Sequence, residues 1–191
     1  MRILLIGPPG SGKGTQAVRI GDHFGIAHIS SGELLRHHVE RGTTIGLAIK
    51  EYLAHGDLVP DRVVMDVLRK PVELASRRGG YVLDGFPRTV AQAEAAYEVA
   101  KEIDARVQVA LSFEVPREDL LSRTLGRDQG RSDDRIEVVN HRLEVFDDTA
   151  PALIDYYARR ETLVTIDGSR TVDEVTAAAI DALERVRPTL R

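Results

Sequence analysis

Residues 7–16 read GPPGSGKGTQ directly behind the apolar run Ile3-Leu4-Leu5-Ile6. A strand, a glycine-rich turn and a helix opening on lysine form the pattern that cradles nucleotide phosphates. Glycine lets the backbone turn tightly and approach an anion closely. Successive N–H groups from Gly10 to Thr15 and the helix N-terminus then face the phosphate oxygens. Lys13 reaches the β and γ phosphates as a point charge. The residue after Lys13 is Gly14, so the hydroxyl arrives one place later, at Thr15. A motif of this length in this position is poorly explained as an ordinary turn entering a helix. It commits the chain to a strand–loop–helix start.

The rest of the chain continues that start. Apolar runs alternate with helical patterns, which argues for βαβ units and a parallel sheet. Strands are expected near 2–6, 26–29, 80–83, 107–114 and 162–166. Behind the phosphate loop, Ala17, Ile20 and Phe24 recur at helical spacing, with Gly25 as cap. Further helices are expected near 31–40, 45–54, 61–69, 89–103, 117–126, 134–158 and 172–186, with Pro71 ending the one that starts at 61. The fold class is α/β: a three-layer αβα core around a five-stranded parallel sheet. Two segments do not build the sheet. Residues 31–60 are helical and hinged by Gly32, Gly42, Gly46 and Gly56; residues 123–135 are rich in Arg, Asp and Gly. Each is either surface decoration or a movable cover over the strand C-termini, where ligands bind in such folds.

Composition excludes several partners. A net charge of −4 provides no field for nucleic acid or an anionic membrane. Without cysteine, neither disulfides nor thiolate metal sites can form. No apolar stretch approaches the roughly 18 residues that span a bilayer. Met1 leads straight into the first strand, so no secretory signal is expected, and a cytoplasmic protein is. Of the 26 basic residues, 22 are arginine. Arginine offers phosphate a bidentate fork, yet base composition explains most of such an excess, and the positions matter more.

Three of those positions stand out. In YVLDGFPRT, residues 81–89, Asp84 falls at the end of a strand, where it can hold magnesium or its water shell opposite the phosphate loop. Gly85 allows close backbone approach, Arg88 can clamp a phosphate, and a cis Phe86–Pro87 bond is compatible with the turn. At Ser30-Ser31-Gly32, two hydroxyls can cap a helix, and Arg36 beyond them can serve a second phosphate. Arg123, Arg127, Arg131 and Arg142, with Asp133 and Asp134, form the third; Arg123 and Arg127 share a helix face. Such charge neutralisation suits a loose phosphoryl-transfer transition state. The six histidines read as solvated helix residues rather than as zinc ligands or acid–base groups.

In order along the chain, GPPGSGKGTQ, SSGELLR at 30–36, GDLVPD at 56–61, LDGFPRT at 83–89 with Gln92, RSDD at 131–134, Arg142 and DGS at 167–169 resemble the adenylate kinase family. The resemblance covers essentially the whole chain. It implies a core of residues 1–30, 61–122 and 136–191, a monophosphate-binding flap at 31–60 and a lid at 123–135. The implied reaction is ATP + AMP ⇌ 2 ADP with magnesium, by a monomer. It further implies that Gly10, Ser11, Gly12, Lys13, Gly14 and Thr15 hold the ATP phosphates, with Arg123, Gly168 and Arg170 at the ATP base. Ser31, Arg36, Asp57, Leu58, Val59, Gly85, Phe86, Pro87, Arg88 and Gln92 would hold AMP. Lys13, Arg88, Arg127, Arg131 and Arg142 would converge on the reacting phosphates, the last two also touching AMP, and Asp84 would reach magnesium through water.

Gln92 offers an amide donor and acceptor to an adenine edge. Ser31 also favours AMP, because pyrimidine relatives carry a small apolar residue there. Only Asp128-Gln129-Gly130 separate Arg127 from Arg131, so the lid is short and no structural zinc is expected. Glu33 replaces the family's aspartate. The alternatives are a UMP/CMP kinase of the same fold and a nucleotide-sensing module without phosphotransfer, although no NKxD guanine signature is present.

Overall fold

The computed structural model describes residues 1–125 and 135–189. Five parallel strands form one sheet in the order β2-β3-β1-β4-β5. They are β1 (Arg2–Ile6), β2 (Ala27–Ser30), β3 (Tyr81–Asp84), β4 (Val109–Glu114) and β5 (Leu163–Asp167). Between and after them run α1 (Lys13–Phe24), α2 (Ser31–Glu40), α3 (Thr44–His55), α4 (Asp61–Arg77), α5 (Val90–Glu102), α6 (Arg117–Leu125), α7 (Ile136–Ala158) and α8 (Val172–Val186).

Both sheet faces are buried, which is why the strands read as continuous apolar runs. Successive side chains point to opposite faces. Ile3, Leu5, Val82, Leu111 and Phe113 pack with Ala17, Ile20, Ala179 and Leu183 of α1 and α8. Leu4, Ile6, Leu83 and Ala110 pack on the other side with Val64, Leu68, Ala93 and Leu153 from α4, α5 and α7. Together these give the three expected layers. Gln16, buried in α1, donates to the Val172 carbonyl at 3.1 Å and accepts from Thr176 Oγ1 at 2.8 Å, tying α1 to α8.

The ladder registers fix the geometry of one sheet edge. Leu5 pairs with Asp84, and Asp84 pairs with Ser30. β2, β3 and β5 each lie one residue later than the apolar pattern places them. Their last residues are Ser30, Asp84 and Asp167, which join the ladder although a hydrophobicity pattern cannot see them.

Pro71 does not end its helix: α4 runs on to Arg77. Proline inside a helix costs about 3 kcal/mol. Val64, Val67, Leu68 and Ala75 are buried on one face of α4, on both sides of Pro71. Burying such side chains contributes about 1.5–3 kcal/mol each, so packing across the proline outweighs the lost bond. α7 contains Pro151 in the same way.

α2 and α3 lie outside the sheet and pack on each other. The Thr43 hydroxyl caps α3 by accepting from the Gly46 N–H at 3.1 Å, and the Thr43 N–H donates to the His38 carbonyl. A Cβ on Gly46 would overlap the His38 carbonyl of α2, so the two helix backbones meet there. Overpacking a tight contact costs about 1–3 kcal/mol, and backbone against backbone leaves the least room to relax. Gly46→Ala is therefore expected to cost about 3 kcal/mol if the pair unfolds with the core. At ~2–4 °C per kcal/mol for a chain of this size, calorimetry should show a midpoint ~6–12 °C lower. An unchanged midpoint would show that this contact yields freely.

Candidate active site

The phosphate loop leaves β1 at Ile6 and delivers Lys13 as the first residue of α1. Gly10 has φ +84°, and a Cβ there would lie 2.5 Å from the Leu120 carbonyl and from Thr124 Oγ1. The loop thus rests directly on α6 and can do so only with glycine at this point. Lys13 Nζ donates to the Gly7 carbonyl at 2.6 Å, the Pro8 carbonyl at 2.8 Å and Ser11 Oγ at 3.3 Å. Its charge is thereby pinned over the loop, not left to swing. Asp84 lies against the first turn of the same helix: a Cβ on Gly14 would be 3.8 Å from Asp84 Oδ2.

A cleft of about 420 Å³ opens over the loop. Gly10, Gly12, Lys13, Gly14 and Thr15 line one end, with Asp84 beside them. Arg36 of α2, Arg88 from the β3–α5 turn and Arg142 of α7 line the other. Cations from four separate elements therefore face one space. Adjoining it is a smaller pocket of about 40 Å³, lined by Ser31, Arg36, Leu58, Val59, Phe86, Arg88, Gln92 and Arg142. Asp57 and Gly85 complete its wall.

Several details set the character of this second pocket. Ser31 is 1% exposed and its hydroxyl has no partner among the described residues, so a polar group is held in the wall unsatisfied there. A bare hydroxyl at such depth costs about 1–3 kcal/mol, and an incoming polar ligand would relieve that. The Phe86–Pro87 peptide is cis. Arg88 Nε donates to the Gly85 carbonyl at 2.9 Å, which bends its guanidinium back over the turn. Gln92 already uses both ends of its amide: Oε1 accepts from the Arg88 N–H, and Nε2 donates to Asp61 Oδ1, each at 2.8 Å.

At the far side, Arg123 donates to the carbonyls of Gly168 (2.8 Å) and Ser169 (3.0 Å). Arg170 donates to Asp167 Oδ2 at 3.0 Å. The Ser169 hydroxyl and N–H also donate to Asp167, and with Arg170 they lower the Asp167 carboxyl to about 2. Arg123, Gly168 and Arg170 thus meet at one loop. Arg127 and Arg131, with Asp133 and Asp134, lie outside the described residues.

His28 is not the solvated helix residue expected of it, and His141, partly exposed on α7, has a partner its sequence position does not show. His141 Nε2 donates to Asp57 Oδ1 at 2.8 Å, joining α7 to the loop that follows α3. His28 sits on β2, paired with Val82, and its Nε2 is buried without a partner among the described residues. Asp61 and Gln16 stand in the sequence only as the last residues of GDLVPD and GPPGSGKGTQ, with no role assigned to either, and Thr124 is not singled out. Gln16 had a legible signal, a polar side chain on the same helix face as Ala17 and Ile20. Asp61 had none, because its partner is 31 residues away.

The sequence profile described as "Adenylate kinase" matches residues 5–162. An adenylate kinase of Mycobacteroides abscessus is 44% identical over 97% of this chain and 100% of its own length. One from Mycobacterium tuberculosis is 43% identical over 96% and 99%. One from Methanosarcina barkeri is 39% identical over 92% and 94%.

Gly10→Ala should displace the loop from α6 and misdirect its N–H groups. Hydrogen bonds to charged groups are worth about 1.5–3 kcal/mol each, so one lost bond already weakens binding about tenfold. Titration with a fluorescent ATP analogue is expected to show at least that loss. Wild-type affinity would mean that the loop tolerates a methyl group against Leu120 and Thr124.

Proposed function

The chain belongs to the adenylate kinase family, and from that premise we propose how its residues divide the work of moving a phosphoryl group from ATP to AMP. It is a phosphotransferase. The observation that carries the assignment of roles is the shared cleft. Lys13 and the phosphate loop stand at one end, and Arg36, Arg88 and Arg142 stand at the other. A protein that bound one nucleotide would need only the first end.

In this reading the N–H groups of Gly10 to Thr15 and the Lys13 ammonium hold the β and γ phosphates of ATP. Arg123, Gly168 and Arg170 border its base. Arg36, Arg88 and Arg142 draw in the phosphate of AMP, while Ser31, Gln92 and the Asp57–Val59 segment enclose its nucleoside. An AMP phosphate oxygen attacks the γ phosphorus, and the bond to the bridging oxygen of ADP breaks. No general base is needed, because the attacking phosphate is already ionised near neutral pH. The barrier is chiefly the approach of two polyanions, and Lys13, Arg88 and Arg142 offset it electrostatically. Arg127 and Arg131 would add their charges from the lid. The flap at 31–60, with the lid expected at 123–135, whose residues 126–134 lie outside the described ones, would close and expel water, so that AMP and not water receives the group.

Magnesium fits the donors present. It is a hard cation that prefers oxygen and keeps several of its waters, and the Asp84 carboxylate stands beside the first turn of α1. Asp84 would hold it through water, and the bound ion would neutralise charge across the β and γ phosphates. The reading includes no structural zinc, since the chain has no cysteine to bind it. It also includes a monomer working in the cytoplasm. Among the described residues no helix is long and apolar enough to cross a membrane.

Phosphorus NMR with Mg-ATP and, in separate samples, AMP, UMP, CMP or GMP tests the reading. ADP should form with AMP and approach a reversible equilibrium. Conversion of UMP or CMP instead would make the chain a pyrimidine-specific kinase, and no conversion would leave it a binding module. Lys13→Met should keep the wild-type unfolding midpoint within a few degrees and reduce kcat at least ~10²-fold, the scale of losing one transition-state charge partner. Near-normal turnover would remove Lys13 from the mechanism.

A further inference from the structure

Asp61 opens α4 and lines neither the cleft nor the smaller pocket. Its Oδ1 nevertheless accepts from Gln92 Nε2 at 2.8 Å. On the other side of the same amide, the Arg88 N–H donates to Gln92 Oε1 at 2.8 Å. Gln92 is 2% exposed, so its amide is shielded from bulk water, although the Asp61 carboxylate itself is exposed. A backbone N–H can only donate, and a carboxylate can only accept. Together they determine which end of the amide is oxygen. Each end keeps one valence, a lone pair on Oε1 and a hydrogen on Nε2. Because Gln92 lines the smaller pocket, a base lodged there meets an acceptor and a donor in a set order.

We infer that Asp61 is the positioning residue for base selection: it locks the Gln92 amide in the orientation that accepts a 6-aminopurine and rejects a 6-oxopurine. The inference rests on the smaller pocket being the AMP base site. A 6-aminopurine presents a donor on its exocyclic nitrogen and an acceptor at N1. A 6-oxopurine presents the reverse, an acceptor at O6 and a donor at N1. The two differ at this edge by one interchange of donor and acceptor, the same interchange that a half-turn of the glutamine amide produces. An amide free to turn would satisfy either base. Here a half-turn would set Nε2 against the Arg88 N–H and Oε1 against the Asp61 carboxylate, two repulsive contacts in a buried site. Mismatched polar groups without water are the strongest basis for rejecting an analogue.

Asp61 also lies in the first turn of α4, where a carboxylate suits the helix dipole. A residue serving only that purpose would affect stability and leave base choice alone. The two roles separate when kcat/KM for AMP and for IMP, together with KM for Mg-ATP, is measured on wild type, Asp61→Leu and Asp61→Asn. Removing one of the two amide locks is expected to narrow the AMP:IMP ratio about tenfold, the scale of one charge-assisted hydrogen bond. The change should come through a higher KM for AMP, with KM for Mg-ATP unmoved. Asp61→Asn can turn its own amide either to accept from Gln92 or to donate to it, so it no longer fixes the orientation and should narrow the ratio as Asp61→Leu does.

An AMP:IMP ratio in Asp61→Leu equal to wild type, or equal losses towards AMP and Mg-ATP, overturns the inference. If Asp61→Leu does not fold, Asp61→Ser answers the same question. Serine caps a helix start but is too short to reach Gln92, so a retained wild-type ratio there also overturns it. A wild-type protein that phosphorylates no AMP would instead defeat the functional reading, and is seen before any variant is made.

Discussion

Strand register is the constraint on which the site depends. Ser30, Asp84 and Leu5 stand side by side across three strands. Each is followed at once by a piece of the cleft: α2 with Ser31 and Arg36, the Gly85–Arg88 turn, and the phosphate loop. Three chain segments far apart in sequence thereby leave the sheet at one level and in one direction. A slip of one residue in either ladder would turn every side chain of a strand to the opposite face. Leu5 and Val82 would then leave the α1–α8 side, and Leu83 would enter it. Two dry interfaces oppose that slip, so the hydrophobic cores and the alignment of the polar site are one and the same specification.

On that frame, charges are held by the backbone as much as by one another. Lys13 is fixed by two carbonyls and a hydroxyl, Arg88 by the carbonyl of Gly85, and Arg123 by those of Gly168 and Ser169. Carbonyl partners orient a cation without neutralising it. The chain as a whole is anionic at −4, yet the space between these side chains is lined by cations. The lining sets four cations against the carboxylates of Glu33 and Asp84, and a cleft biased to one sign concentrates field lines, so local arrangement and not net charge decides what enters. That is why a net charge of −4 says nothing about attraction to small polyanions.

Legibility of the fold in the sequence followed the range of the interaction. The phosphate loop, the strands and most helices are written locally, in glycine spacing and apolar period. Pro71 misled because the cost of a proline is local while the burial of Val67, Leu68 and Ala75 that overrides it comes from the sheet and α2. Strand ends at Ser30 and Asp167 were hidden by their polarity, although ladder pairing is a backbone property, whereas Asp84 is legible as a strand end. Motif spacing singles out candidate residues. It does not single out those that act through a partner, since nothing near His141 in sequence points to Asp57, and nothing near Asp61 points to Gln92.

These hidden pairs share a position that gives them a common logic. Asp57 and Asp61 flank the loop joining α3 to α4, and each carboxylate reaches a different element, His141 on α7 and Gln92 on α5. Between them lie Leu58 and Val59, in the wall of the smaller pocket. The segment is therefore pinned at both ends by charged hydrogen bonds while its middle contributes apolar surface. Val59 is almost wholly buried, which holds the middle in place as well. A pocket wall made of backbone and two aliphatic side chains has little polar specificity of its own. Discrimination among bases must then come from the few polar groups that face the pocket with fixed orientation, and fixing requires partners outside it. The Ser31 hydroxyl, unpartnered among the described residues, and the doubly bonded Gln92 amide represent the two ways such groups can wait: one unsatisfied, the other satisfied on the side away from the pocket. The first gains a bond from any polar ligand, whereas only the second can choose between donor and acceptor.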